Sequence, residues 1–413
     1  MGRGVRVGVC GVVALGGAFG ALRACGEGGP SALPPGALVA ASPWVRSPRN
    51  PVARPGKTHP DGRQELGIAD PCVLYDPVRR RWRAWWTNSL GRPAEGGQLV
   101  IHHAESADGL AWTVAPEPAL SPGPSPDDWD HSAVEAVSVV EVPGAPAARR
   151  FWLFYCGRND VAVDDPRWYQ LGAATSPDGR RFTRLPVAES PYARARTPYR
   201  DVEGLVLLGR DAFPGRPEVR DGVVAEPAVV HVDGTFHMWF SSYGVDAQGG
   251  PLEWGIGYAT SRDGARWTPH RLNPLPSLKR AGVGGSSPSV LWDPESRSFE
   301  LWFNQDMDEE RAAVPTTFFS SLGSWSARSP DGITWSDPFT RGRDFAWDPA
   351  SPTERHGLMV GAGVARGPDG LRLYYGAFGD RDVPVGFLTP TRRGPIPSVL
   401  TLHVATLAAT RSR

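Results

Sequence analysis

Three carboxylates stand at the head of short apolar runs: Asp70 in Asp70-Pro-Cys-Val-Leu-Tyr-Asp-Pro, Glu135 in Glu135-Ala-Val-Ser-Val-Val-Glu-Val-Pro-Gly, and Glu226 in Glu226-Pro-Ala-Val-Val-His-Val-Asp-Gly. Two further runs of the same kind begin at small residues, Ser287-Pro-Ser-Val-Leu-Trp-Asp-Pro and Gly361-Ala-Gly-Val-Ala-Arg-Gly-Pro-Asp-Gly. Carboxyls held close together resist joint ionisation, so one keeps its proton while another acts as a base. A protonated acid beside an ionised carboxylate is what glycosidic cleavage requires. Aligned in one register, the five heads put three acids at one end of a shared opening and leave room for a ligand beside Ser287 and Gly361. In the second run Asp127, Asp128 and Asp130 closely precede Glu135, and any of them is eligible as that run's acid.

Positioning these residues requires a repeat, and one is present. Each headed run is followed by an aromatic strand: Trp82-Arg-Ala-Trp-Trp, Phe151-Trp-Leu-Phe-Tyr, Phe236-His-Met-Trp-Phe, Phe299-Glu-Leu-Trp-Phe and Leu371-Arg-Leu-Tyr-Tyr. Four of the five units then carry a hairpin of the form Ala-x-Ser-x-Asp-Gly-x-x-aromatic, spanning 104–112, 174–182, 259–267 and 327–335. Asp-Gly between alternating strands is a strong turn signal, because Gly takes positive φ at no steric cost. The fifth unit lacks this hairpin, and 398–407 together with a segment near 39–45 is expected to complete it. The repeat predicts an all-β fold, a five-bladed β-propeller of four-stranded antiparallel blades. In such a blade the first strand lies innermost, so strand-one heads and strand-two ends share one face. The Asp-Gly hairpins fall on the opposite face and read as structural, with Ser and Asp bonding the turn.

Ala69-Asp70-Pro71 and Ala225-Glu226-Pro227 resemble the motifs of glycoside hydrolase family 43 and its five-bladed relatives, families 32, 68, 117 and 130, over roughly 43–407. The resemblance implies that Asp70 is the general base, Glu226 the general acid, and the second acid a modulator of pKa and orientation, in an inverting hydrolase of O-glycosidic bonds. Families 32 and 68 use the first position as a nucleophile, but this chain lacks the Asn-Asp-Pro-Asn and Arg-Asp-Pro strings expected of family 32. A Glu at the second position departs from the family's usual Asp. Strand-two ends supply the expected substrate contacts on the same face: Asn88, Arg158, Asn159, Ser242, Tyr243, Asn304 and Gln305. His356 stands where the family often has a channel histidine supporting a cation or water, so a calcium or sodium ion is allowed there although no cofactor is required. His131 is a second candidate for the pocket wall. Two other readings share the fold: a carbohydrate-binding lipoprotein without catalysis, and a phosphorylase, for which Arg158 would hold phosphate.

The 413-residue chain has a formal net charge of zero, so no basic face is offered to nucleic acid or to anionic lipid. A neutral oligo- or polysaccharide is the easier partner, and the 16 Trp provide faces that stack on sugar rings as well as core. Charged residues at 1–6, an apolar run over 7–22 and the ending Leu22-Arg23-Ala24-Cys25 predict a signal peptide over 1–25 in which Cys25 is lipidated. A linker over 26–42 and a catalytic propeller over 43–408 are expected to follow, in an exported monomer anchored by lipid or secreted. Cys72 and Cys156 then remain in the mature domain, and both are expected as separate buried thiols.

Overall fold

The computed structural model describes residues 42–59, 62–92, 96–160, 169–307, 320–355, 358–359, 363–378 and 400–407. Cys25, His356 and Gly361 lie outside them. Among the described residues there is no α-helix, only strands joined by turns and single 3-10 turns. Antiparallel strands form successive sheets, and single parallel pairings, Leu99 with Ala133 and Gly67 with Leu400, make the first continuous with the second and with the last. The first runs β2 (Gln64–Asp76), β3 (Arg81–Arg92), β4 (Gly96–Ser106), β5 (Thr113–Val114), all antiparallel. A second runs β6 (Ala133–Glu141), β7 (Phe151–Arg158), β8 (Gln170–Ser176), β9 (Thr183–Arg184). The third is β10 (Asp221–Val232), β11 (Thr235–Val245), β12 (Pro251–Ser261), β13 (Thr268–Pro269), and the fourth is β14 (Ser286–Asp293), β15 (Ser298–Asn304), β16 (Gly323–Ser329), β17 (Phe345–Ala346). The last sheet joins β18 (Gly363–Gly367), β19 (Gly370–Phe378) and β20 (Leu400–Leu407) to β1 (Trp44–Arg46), with Trp44 opposite Leu407. The two ends of the described chain thus meet in one sheet, as the missing hairpin requires.

Apolar residues on both faces of each sheet bury the sheets against one another rather than in one central core. One cluster joins Trp85, Val134, Leu153 and Phe182 between the first and second sheets; another joins Phe154, Val224, Phe236 and Phe240 between the second and third. Corresponding clusters lie between each later pair, and Trp82, Tyr374 and Leu402 fill the gap between the last sheet and the first. Each first strand lies against the first strands of the neighbouring sheets. Between them runs a channel of about 380 Å³, lined from Pro71, Pro227 and Pro288 to Tyr75, His231 and Trp292.

The Asp-Gly hairpins lock neighbouring sheets together. In the fourth sheet Ser329 Oγ accepts the Gly332 N–H at 2.8 Å, and Asp331 Oδ1 accepts the N–H groups of Ile333 and Thr334 at 2.8 Å each. Gly332 has φ +76°, a conformation that favours glycine, and its carbonyl accepts the Trp239 indole N–H of the preceding sheet at 2.8 Å. Trp85 donates likewise to Gly179, and Tyr374 to Gly109. Trp302 holds the same strand position in the fourth sheet, but the sheet after it has no hairpin. Its indole N–H turns instead to Asp344 Oδ2 at 3.0 Å, which also accepts from Trp44 at 2.7 Å.

Candidate active site

The three carboxylates are placed by a repeated defect in the first strands. In β2 Ala69 pairs with Thr87, yet the next pair is Cys72 with Trp85, so Asp70 and Pro71 together face one residue of β3. This is a β-bulge, which leaves an extra residue unpaired and re-aims its side chain. A proline suits the position because it has no N–H to lose from the ladder. The same step occurs between Ala225 and Ala228, and between Ser286 and Ser289. Asp70, Glu226 and Ser287 adopt left-handed φ values of 47°, 52° and 51°. For residues with a Cβ that conformation costs about 1 to 2 kcal/mol each, and it persists only where surrounding structure enforces it.

The second sheet corrects the register expected from sequence. Its bulge lies between Glu135 and Ser138, and the left-handed residue is Ala136, at φ 49°. Glu135 pairs with Cys156 as Ala69 pairs with Thr87, so it stands one residue before the level of Asp70 and Glu226. It nevertheless joins the same cluster electrostatically. The charges of Glu135 and Glu226 both raise the Asp70 carboxyl, and that of Glu226 raises Glu135. The competing acids of this run lie elsewhere: Asp130 is buried and accepts from Tyr155 Oη and Arg184 Nε, each at 2.8 Å, while Asp128 accepts the Ser125 N–H.

All three carboxyls are pushed toward their protonated forms, and burial is the largest cause in each. Asp70 is driven well above the ordinary carboxylate range by desolvation and then by its two acidic neighbours, against one hydrogen bond from Thr87. Glu135 is raised to about 7, opposed by the Tyr169 hydroxyl and the positive charge of Arg158. Glu226 is raised by burial against hydrogen bonds from Ser241 and Ser287. The cluster therefore resists full ionisation as pH rises. Around Glu135, Tyr169 Oη donates to Oε1, Arg158 lies over the Tyr169 ring at 5.4 Å, and Arg158 Nη1 meets both oxygens of Asp160 at 2.7 Å.

Of the other expected contacts, Arg158 reaches the carboxylates, through the Tyr169 ring and through its charge on Glu135. Asn88 is 1% exposed, and its Nδ2 lies 3.1 Å from His102 Nδ1, on the opposite side of the strand from Thr87. Asn159 Nδ2 donates to the Pro126 and Asp128 carbonyls at 2.8 and 2.6 Å, pinning a loop. Ser242 donates to the Gly255 carbonyl, Tyr243 packs into the core between the second and third sheets, and Asn304 accepts from Ser324. Gln305 is buried with its Nε2 3.4 Å from Met307 Sδ, and His131 Nδ1 is 2.8 Å from the Gly123 carbonyl. These side chains are each engaged by neighbouring groups of the protein. Sequence reasoning missed Thr87, Tyr169 and Ser241, which touch the acids; polar residues in apolar strands were the available signal for Thr87 and Ser241. Among the described residues no group of three His, Cys, Asp or Glu side chains is arranged to hold a metal ion. Cys72 and Cys156 are both free thiols, but only Cys156 is buried as expected; Cys72 is partly exposed.

No protein-family model matches the chain, and no curated protein sequence matches it. Solved structures do share its fold. A complex of BT0996 with RGII superposes with a TM-score of 0.61 at 15% identity over 89% of this chain and 95% of its own. An N-acetylgalactosamine deacetylase from F. plautii, in complex with blood group B trisaccharide, gives 0.57 at 18% identity over 88% and 95%. Zg3597, a family 117 glycoside hydrolase of the marine bacterium Zobellia galactanivorans, gives 0.52 at 12% identity over 88% of each chain. At such identities the likeness establishes a fold shared with glycoside hydrolases, and a deacetylase uses that fold too.

Proposed function

We propose that the chain is a glycoside hydrolase of extracytoplasmic glycans, built as a five-bladed β-propeller whose blades are the five sheets. The observation that carries the reading is the cluster itself: three half-buried carboxyls, two on left-handed bulges of alternate sheets, each raised by burial and two of them by mutual charge. Strain and desolvation of acids both cost stability, and their coincidence in one electrostatically coupled cluster supports a proton-transfer site. Asp70 and Glu226 form the acid/base pair, and Glu135, with Tyr169 and Arg158, modulates it. An oligo- or polysaccharide is the partner, and the leader ending at Cys25 carries the domain out of the cytoplasm.

The family resemblance assigns the base to Asp70 and the acid to Glu226. As the protein stands, the balance leans the other way. Glu226 Oε2 accepts two donors, the Ser241 hydroxyl and the Ser287 N–H, while Asp70 Oδ2 accepts that of Thr87. Hydrogen bonds to a carboxylate favour its ionised form, so Asp70 keeps the proton more readily. Substrate must draw that proton toward the leaving-group oxygen from one carboxyl or the other. A phosphorolytic reaction would need a free cation for phosphate, and Arg158 is engaged by Asp160.

The test is product release from a panel of aryl glycosides and polysaccharides by wild type, Asp70→Asn and Glu226→Gln, with reducing sugar and acetate measured separately. Loss of about 10²- to 10⁴-fold in both variants, with folded protein by circular dichroism, is the expected result. Sugar binding without product, unchanged by Glu226→Gln, would mark a binding protein, and acetate release would mark a deacetylase.

A further inference from the structure

The acids of the first and third sheets share a hydroxyl device that the other two bulged sheets lack. Thr87 stands opposite Ala69 on β3, and Ser241 stands opposite Ala225 on β11, the same position in their sheets. Thr87 Oγ1 accepts the Ala136 N–H of the next sheet at 2.9 Å and lies 3.1 Å from Asp70 Oδ2. Ser241 Oγ accepts the Ser287 N–H of the next sheet at 2.8 Å and contacts Glu226 Oε2, which takes the same N–H at 3.0 Å. In the second and fourth sheets the bulged residues are Ala136 and Ser287, and the equivalent positions hold Cys156 and Asn304. In these four sheets the hydroxyl therefore accompanies an acid on the bulge and is missing where the bulge carries none.

A backbone N–H can only donate, so each hydroxyl oxygen is an acceptor toward the neighbouring sheet. A hydroxyl has one hydrogen and two lone pairs, and here the hydrogen is donated to the carboxyl, from Thr87 Oγ1 to Asp70 Oδ2 and from Ser241 Oγ to Glu226 Oε2. The carboxyl oxygen receiving it cannot also carry a proton pointing back along the same line. We propose that Thr87 and Ser241 are positioning residues that confine the exchangeable proton to the opposite oxygens, Oδ1 of Asp70 and Oε1 of Glu226, an inference that rests on the acid/base reading above. The backbone of the following sheet thus fixes which carboxyl oxygen meets the substrate, and a shift between neighbouring sheets would release the hydroxyl and scramble the choice.

Thr87→Val, Thr87→Ser, Ser241→Ala and Ser241→Thr in the whole chain test this. The first measurement needs no substrate: infrared pH-difference spectra follow the buried protonated carboxyls through their titration. Because the hydroxyl donates to the ionised form, its loss raises the apparent pKa of the paired acid by about one to two pH units, and the hydroxyl-preserving variants restore it. The second is the pH profile of kcat on whichever panel glycan the wild type cleaves, where about a 10- to 100-fold fall in kcat with little change in KM is expected from Thr87→Val and Ser241→Ala. Folded variants with unshifted titrations overturn the proposal and leave the hydroxyls as simple ties between sheets. If the wild type cleaves no glycan, the hydrolase reading fails while the titrations still decide this one; should Thr87→Val not fold, the Ser241 pair decides it alone.

Discussion

Replacing Glu135 with Gln removes a charge that the fold opposes while keeping an oxygen for the Tyr169 hydroxyl, which donates to Oε1. Burial is the main cause that lifts this carboxyl from 4.5 to about 7, with Glu226 and Asp160 adding to it. Between those values the folded chain binds a proton that the unfolded chain has released, so the stability of the wild type falls as pH rises through this window. At about 1.4 kcal/mol per pH unit the loss is about 3 kcal/mol, reduced toward about 2 by the solvent that still reaches the half-buried side chain. Glu135→Gln escapes the loss. Urea unfolding of both proteins at pH 5 and pH 8.5 should therefore show nearly equal stability at the lower pH and a variant more stable by about 2 to 3 kcal/mol at the higher. The Asp70 carboxyl, raised in part by Glu135, should also ionise at lower pH in the variant. A stability difference that is the same at both pH values would refute the reasoning, because it would come from packing and not from ionisation.

His102 should impose the opposite trend. Burial, then the nearby charges of His59, Lys57 and Arg63, lower its pKa to about 4, so the unfolded chain binds the proton first as pH falls below 6.5. Its contribution is present above pH 6.5 and lost toward pH 4, by up to about 3 kcal/mol, and His102→Gln should flatten that limb of the unfolding curve against pH. Gly332→Ala should destabilise by about 2 to 4 kcal/mol, since its φ is +76° and a Cβ would come 2.7 Å from the Trp239 ring. Gly234→Ala, at φ +73° with nothing within 4 Å, is the control and should lose only about 1 kcal/mol by urea denaturation.

Much of the architecture could be read from local chemistry. Alternating apolar residues, Asp-Gly turns and repeated aromatic strands specify antiparallel hairpins whatever lies beside them, and the strand near Trp44 pairs with Leu400–Leu407 because the fifth unit lacks a hairpin of its own. The acids Asp70 and Glu226 were legible because a proline after each one marks the bulge in the sequence. Ala136 has no such mark: Val137 follows it, and the strand pattern around Glu135 reads equally well one residue either way. The polar residues of the second strands were legible as polar, but not as buried: Asn88 lies against His102, and Asn159 donates to loop carbonyls.

Sequence by itself determined the strand repeat, the turn chemistry, the two lone thiols and the acids Asp70 and Glu226 of the first strands, though the strands begin several residues before them, since each depends on neighbours a few residues away. Tertiary structure alone decided which residue of the second sheet takes the left-handed bulge, which strand-end amides are spent inside the protein, and how Thr87 and Ser241 tie acids to the next sheet. Those outcomes depend on one sheet's backbone meeting another's side chains, as when the Ala136 N–H reaches Thr87 from 49 residues along the chain. Spacing within a strand fixes the order of its side chains, but packing between strands fixes where they point.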